Sequence, residues 1–374
     1  MKVLLTGAHF TPAIAVIEEL KKNSDVKLIY VGRKTTLEGD KTASVESKVL
    51  PSLGIKFIPI TTGRLLRVFS IYTISSILKI PVGFFQAFYI ILSEKPDVIL
   101  SFGGYVAIPI IIIGWFFSIP IIIHEQTLVI GLANKISSLF ADKIAVSFSR
   151  HSKSEKNILT GNPLRKEILK PIEKLPSDFI QLFNQAKKLS LPVILVMGGN
   201  QGSHLINTCL ENALEELIKI ACVIHVSGSN KFGDYERLNE FRKINQIKEK
   251  YLVKHWIGEE FGTILKKADL VVCRAGINTL IESAFSEVPS LVIPIPYLYQ
   301  DEQSKNAKFF QMLGVSEILH QSNLSPKTLV KNIKLMLDNL NNFRDNFDKT
   351  KEFIITDAAK RLALETLLLG SKKL

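Results

Sequence analysis

Short apolar runs rich in Val, Ile and Leu recur along the chain, and helical patterns fill the intervals between them. KVLLTG precedes a helical pattern near 12–22; then come VKLIYVG, a hydrophobic segment at 68–92, DVILSFGG, a helix near 108–117, PIIIHEQ and DKIAVSF. Runs of this kind suit strands buried on both faces, and their alternation with helices predicts a parallel sheet of βαβ units. After the turn-rich TGNPLRKEI the rhythm restarts: PVILVMGGNQGS, a helix near 203–218, CVIHVSG, YLVKHWI, a short helix near 259–266, DLVVCRAG, a helix near 277–286 and PSLVIPIP. The pattern predicts two Rossmann-like domains with a boundary near 160. A polar segment, NLNNFRDNFDKTKEF, then leads to a last helix at 357–369.

Composition supports this division. A chain of 374 residues, 47% hydrophobic and 22% charged, can bury two cores of ~150–200 residues each. The opening MKVLLTGAHF reaches Gly and His too soon for a signal-peptide core and reads as a first strand. Residues 105–123 carry no charge and are long enough to span a bilayer. Pro109 and Pro120 divide them, however, and a buried helix followed by a buried strand is the expected arrangement. Cys209, Cys222 and Cys273 fall in no disulfide or zinc-ligand spacing, so a reducing cytoplasm is expected and no metal. The net charge of +12 is shared equally by residues 1–150 and 151–374 and favours an anionic partner. Lys/Arg blocks interleaved with aromatics are lacking, which sets nucleic acid aside and leaves a phosphorylated substrate or an acidic membrane.

In open parallel sheets ligands bind at the carboxyl ends of the strands, so the loops there carry the candidate chemistry. Four contain glycine: TGAH (6–9), SFGGY (101–105), MGGNQGS (197–203) and CRAGIN (273–278). Each permits close approach of backbone to an anion, and four in equivalent places point to phosphate binding by both halves. None is a dinucleotide fingerprint or a P-loop. Glu282 lies about a turn and a half into the helix after Gly276, where an ionised carboxylate can accept two ribose hydroxyls. By spacing alone it equally fits a solvated acid or one paired with Arg274.

The stretches SFGGYVAIP, IIIHEQTLVIGLANK, TGNPLRKEI, VMGGNQGSHLIN and ADLVVCRAGINTLIESAFSEVPSLVIPIPYLYQDEQSKNA resemble the MurG family. Its members are UDP-N-acetylglucosamine:N-acetylmuramyl-(pentapeptide) pyrophosphoryl-undecaprenol N-acetylglucosamine transferases. The likeness covers nearly the whole chain. It implies a GT-B fold: residues 1–160 as the acceptor and membrane domain, 161–345 as the donor domain, and 346–374 as a helical segment packing back on the first. It also implies UDP-N-acetylglucosamine as donor, a lipid-linked acceptor, no required cofactor, and a peripheral place on the cytoplasmic face of the plasma membrane near the cell-wall synthesis machinery.

Carried over by motif, Glu282 would hold the ribose. Gly199, Asn200, Gln201, Gly202, Gly276, Ile277 and Thr279 would face the diphosphate. Arg165 would hold the nucleotide, the backbone at Ile257 would meet uracil, Glu302 and Gln303 would contact the sugar, and Thr127 would complete the donor set. Gly7, Ala8, Gly103, Gly104 and Tyr105 would bind the acceptor. His9 is the candidate general base of an inverting transfer to the acceptor's 4-hydroxyl; it equally fits a histidine that orders its loop or binds the acceptor diphosphate. His124 ends a buried strand and reads as structural.

The departures from the family pattern are Ala8 where a glycine is usual, Thr127 for Asn and Asn200 for Ser. The first motivates an alternative, a related enzyme with a different lipid acceptor. A UDP-sugar 2-epimerase would need further acidic and His residues at the site. A scaffold would bind UDP without turnover. In 64–92, Arg64, Arg67, Phe69, Ile74, Leu78 and Phe85 form either the family's membrane patch or part of a buried helix pair.

Overall fold

The computed structural model describes residues 1–35, 44–63, 71–149, 154–199, 201–228 and 232–371, without the side chains of 71–77. It divides into two units, Met1–Arg165 with Ile355–Leu374, and Lys166–Ile354.

The first unit runs β1 (Lys2–Gly7), α1 (Phe10–Leu20), β2 (Lys27–Gly32), α2 (Val45–Ser52), β3 (Lys56–Pro59), α3 (Ile71–Glu94), β4 (Val98–Phe102), α4 (Ile108–Phe116), β5 (Ile121–Glu125), α5 (Leu132–Ser137), β6 (Lys143–Val146) and β7 (Asn157–Leu159). Its seven strands are all parallel, in the order β3-β2-β1-β4-β5-β6-β7. The central strands are buried throughout because apolar clusters cover both faces of the sheet.

The second unit contains α6 (Lys166–Leu169), α7 (Ser177–Leu189), β8 (Val193–Met197), α8 (His204–Ile220), β9 (Cys222–Val226), α9 (Asp234–Ile244), β10 (Tyr251–Lys254), α10 (Phe261–Lys267), β11 (Leu270–Cys273), α11 (Ile277–Phe285), β12 (Ser290–Val292), α12 (Glu302–Met312), β13 (Ser316–Ile318), α13 (Pro326–Asp338) and α14 (Leu340–Arg344). Six parallel strands lie in the order β10-β9-β8-β11-β12-β13. The last helix, α15 (Ala358–Ser371), belongs to the first unit, where Leu362, Ala363 and Leu369 join the cluster of Val16, Ile17 and Leu20.

The boundary falls at 165/166, and the returning segment starts at Ile355 rather than 346. The cause is aromatic packing: Phe353 stacks edge-on against Phe309 and Phe310 of α12, with ring centroids 5.3 and 5.8 Å apart, which keeps the preceding residues on the second unit. The hydrophobic pattern does not announce β3, β7 and β13. All three are short sheet-edge strands, and an edge strand has one neighbour and a weaker apolar signature. YLVKHWI is a strand only to Lys254.

Candidate active site

In each sheet the strand order reverses beside the first strand of its unit, between β1 and β4 and between β8 and β11. The loops after these strands flank a topological switch point, the place where an open sheet leaves a crevice. All four glycine loops lie there.

In the second unit, β8 leads through Gly198–Ser203 into α8. Gly202 has φ +75°, and a Cβ there would sit 1.8 Å from the Ser227 carbonyl oxygen, so only glycine fits. Gly199, at φ +90°, and Gly276 face open space. Ser203 caps α8, accepting from Ile206 N at 3.5 Å. Neither α8 nor α11 has an acid in its first turn, so both helix N-termini keep their partial positive charge.

Arg274 connects the two loops. Its Nη2 donates to Ser203 Oγ at 2.9 Å, and its Nη1 to the Ile293 carbonyl at 3.1 Å and Gln321 Oε1 at 2.8 Å. All three acceptors are neutral, the side chain is 9% exposed, and its buried Nε has no partner. Desolvation pulls its pKa below the usual arginine value. A buried cation without a carboxylate is costly unless an anion comes to it, and two helix N-termini beside it favour the same anion. Arg274 is a candidate that none of the sequence motifs singles out. The available signal was its position as the one cation in an apolar run that ends at a glycine loop.

Glu282 is 3% exposed on α11, so it is not a solvated acid, and Arg274 is not its partner. Thr279 lies in the first turn of α11 and is half-buried, and Ile277 is buried. Gln303 Oε1 accepts from Ile295 N at 2.9 Å, which fixes the start of α12 where Glu302 also sits. Asn306 Nδ2 ties α12 to the Ala275 carbonyl. Ile257 is buried just after β10, Gln201 is exposed, Arg165 is half-buried before α6, and Asn200 lies outside the described residues.

A polar network lies beneath this site. Asn207 Nδ2 donates to the Ser227 carbonyl at 2.9 Å and to Asp234 Oδ2 at 2.7 Å, so its Oδ1 must accept from His225 Nε2 at 3.0 Å. The His225 Nδ1 therefore accepts from the Tyr251 hydroxyl at 2.8 Å. Burial pushes the pKa of His225 down to about 3. In the first unit burial pushes His124 down to about 4; its Nε2 lies 3.3 Å from the Gly161 carbonyl and 3.2 Å from Ser147 Oγ, a structural placement.

Both histidines are neutral in the fold but charge more readily when unfolded, near 6.5. Their stabilisation is present above that pH and is lost as pH falls toward about 4 and 3 respectively. Urea unfolding is expected to show about 2 kcal/mol lost per histidine between pH 7 and pH 5. His225→Gln should flatten the dependence, and an unchanged slope in that variant would contradict the assignment.

In the first unit, Ala8 N donates to the Gly103 carbonyl at 3.0 Å. Gly7 (φ +139°) packs against the backbone of Phe102, and a Cβ on Gly104 would lie 2.6 Å from Ala8 Cβ. The two loops thus close on each other, and the Ala8 amide is already used. His9, half-buried at the start of α1, makes no side-chain capping bond. Burial lowers its pKa; Glu125 opposes that shift and Arg33 adds to it. Glu125 is a hub: Oε1 accepts from Thr127 N and Oγ1, and Oε2 from Gly131 N and Asn134 Nδ2. Thr127 is buried, and its hydroxyl is held between Glu125 and the Val129 carbonyl. Tyr105 Oη accepts from Arg33 Nη1 at 3.1 Å.

Arg64, Arg67 and Phe69 lie outside the described residues, and Ile74 is placed only by its position in α3. Beyond it α3 is a single continuous helix, not a buried pair. Leu78, Val82, Phe85, Tyr89 and Leu92 recur at helical spacing and are 68, 45, 77, 72 and 44% exposed. Trp115 and Phe116 of α4, which packs on α3, are exposed as well. Among the described residues no helix is long and apolar enough to cross a membrane.

Known proteins share this arrangement. The glycosyltransferase family 28 N-terminal domain model matches residues 6–146 and the C-terminal domain model residues 193–362. A UDP-N-acetylglucosamine–N-acetylmuramyl-(pentapeptide) pyrophosphoryl-undecaprenol N-acetylglucosamine transferase of Clostridium botulinum is 33% identical over 358 residues, 94% of this chain and 95% of the relative. The chain belongs to the MurG family. The transferase of the same name from Clostridium kluyveri is 31% identical over 96% of this chain and 97% of its own. The crystal structure of Acinetobacter baumannii MurG superposes with a TM-score of 0.68 at 23% identity, covering 98% of this chain and 99% of its own. A UDP-GlcNAc 2-epimerase from Neisseria meningitidis bound to UDP-GlcNAc shares the fold at TM-score 0.60 and 14% identity over 98% of this chain and 100% of its own. The architecture of a MurG family member is therefore GT-B, two Rossmann-like parallel-sheet domains.

Proposed function

We infer that the protein is an inverting glycosyltransferase. It moves N-acetylglucosamine from UDP-N-acetylglucosamine to the 4-hydroxyl of undecaprenyl-pyrophosphoryl-N-acetylmuramyl-pentapeptide in peptidoglycan synthesis. The observation that carries the donor half is the uncompensated Arg274 between two acid-free helix N-termini, with the buried Glu282 on one of those helices. A diphosphate satisfies the first, and a carboxylate at the second position can accept from ribose hydroxyls. As the C1–O bond to UDP breaks, the leaving diphosphate gains negative charge, and fixed positive ends at that place stabilise it. Thr279, Gln201, Gly199 and Asn200 line the phosphate side of this reading, Gln303 and Glu302 the sugar side, Arg165 and Ile257 the nucleotide.

His9 is the base. It takes the proton of the acceptor hydroxyl, and its lowered pKa keeps it neutral, hence able to accept, at neutral pH. The acid limb of kcat/KM should therefore fall below pH 6.5, the ordinary histidine value. His9→Gln should lower kcat by roughly 10²–10⁴-fold. An acid limb at or above that value, or normal turnover in the variant, would remove His9 from the role. The basic test is transfer from UDP-N-acetylglucosamine to a lipid-linked N-acetylmuramyl-pentapeptide; UDP binding without transfer to any acceptor would indicate a scaffold.

The exposed apolar stripe of α3, with Trp115 and Phe116, is the face that meets the membrane, peripherally and on the cytoplasmic side. The engaged Ala8 amide favours a second reading, a related lipid acceptor in place of the muramyl one. Product analysis with several lipid acceptors separates the two.

A further inference from the structure

The first unit carries a donor-rich cavity that the glycine loops do not account for. Its volume is 390 Å³, and Arg33, Lys34, Thr62, Lys79, Gln86 and Tyr105 are among the residues that line it; among the described residues none of the lining is acidic. Arg33 follows β2, the neighbour of β1 in the sheet, so its guanidinium stands at the same carboxyl edge as the His9 loop. It donates to Tyr105 Oη, lies over that ring with 5.5 Å to the centroid, and has a buried Nε without a partner. The Thr62 hydroxyl is also buried and unpartnered. Glu46 lies within the field of Arg33 but makes no ion pair with it, and burial raises the pKa of its carboxyl. A guanidinium nitrogen and a hydroxyl, both buried and unpartnered, in a cavity lined by cations form an anion site.

A second cavity lies against the same helix, α3. Lys79 lines the polar one, and the next residues of α3, Ile80 and Pro81, line a wholly apolar one of 490 Å³ with Phe84, Phe85, Phe88 and Ile113. One ligand chemistry matches a cationic cavity and a hydrocarbon-lined groove set on neighbouring residues of one helix: an anionic phosphate ester on an apolar chain.

We propose that Arg33, Lys34 and Lys79 hold the diphosphate of the lipid acceptor and that its hydrocarbon chain leaves along the groove between Ile80 and Ile113. The proposal rests on the transferase reading and assigns the acceptor's anion to side chains, in place of the loop amide that Ala8 has given to Gly103. Arg33 is also close enough to His9 to depress its pKa, so an anion held there lies near the residue assigned as base.

The test uses the full-length protein and three soluble probes: farnesyl diphosphate, inorganic pyrophosphate and farnesol. Farnesyl diphosphate is expected to bind more tightly than either of the others. Arg33→Gln and the exposed Lys34→Gln should each weaken it by roughly tenfold and leave farnesol unchanged. Phe88→Asp should weaken farnesyl diphosphate and leave pyrophosphate unchanged. UDP affinity, measured on the same samples, should not move in any of these variants; its absence from the wild type would sink the transferase reading rather than this site. Equal affinity for pyrophosphate and farnesyl diphosphate would overturn the proposal, as would an unaltered affinity in both cation variants. Retention by phosphatidylglycerol vesicles equal to that by neutral vesicles carrying farnesyl diphosphate would overturn it too, since a basic surface alone would then suffice.

Discussion

Glu282→Ala is expected to lower kcat/KM for UDP-N-acetylglucosamine by roughly 10²–10³-fold. The carboxylate is 3% exposed, so the ribose hydrogen bonds proposed for it would form out of water, where charge-assisted bonds are strongest. Loss of two such bonds is worth about 3–4 kcal/mol. Glu282→Gln keeps the volume and one acceptor oxygen and should fall between wild type and alanine. Steady-state kinetics with UDP-N-acetylglucosamine, alongside a thermal melt to confirm folding, provides the check. A folded alanine variant with unchanged KM would remove Glu282 from the donor site.

Arg274→Met is expected to weaken UDP by about 10–100-fold while leaving uridine nearly unaffected, because the guanidinium as proposed would answer the diphosphate and not the nucleoside. In the free protein the buried charge has only neutral acceptors, so little electrostatic stability is lost with it. Binding should therefore fall far more than Tm. A ribose or base contact would lower both affinities together, and a purely structural tie between the loops would lower Tm in step with binding. Arg274→Lys should recover only part of the affinity, since three donors on one nitrogen do not reproduce the planar spacing by which Nη1 and Nη2 reach Ile293, Gln321 and Ser203. Titration of UDP and uridine by calorimetry separates these cases.

Much of the architecture is legible from hydrophobic rhythm. Strands such as VILVM and LVVC are buried on both faces and read as continuous apolar runs, and Gly after a strand marks the loops of both switch points. Glu282 is legible by its place on a helix behind such a loop. What escapes is what depends on partners distant in sequence. Thr127 reads as available hydroxyl chemistry, yet Glu125 and Val129 occupy it. Ala8 reads as a lost glycine, but the consequence, an amide committed to Gly103, needs β1 and β4 side by side. An ion pair with Glu282 is one of the alternatives that spacing leaves open for Arg274, and only the fold shows three neutral acceptors around it. The apolar segment at 68–92 reads equally as core or as surface, because hydropathy measures what a residue prefers and not what it meets.

The first unit is assembled from both ends of the chain, with α15 completing a core that begins at β1. During synthesis the ribosome delivers the whole second unit before it delivers α15. That unit is contiguous in sequence and can fold as soon as it emerges. The nascent first unit must meanwhile hold Val16, Ile17 and Leu20 without the apolar face of α15 over them. Cutting the gene after the second unit would therefore leave the first unit, not the second, incomplete.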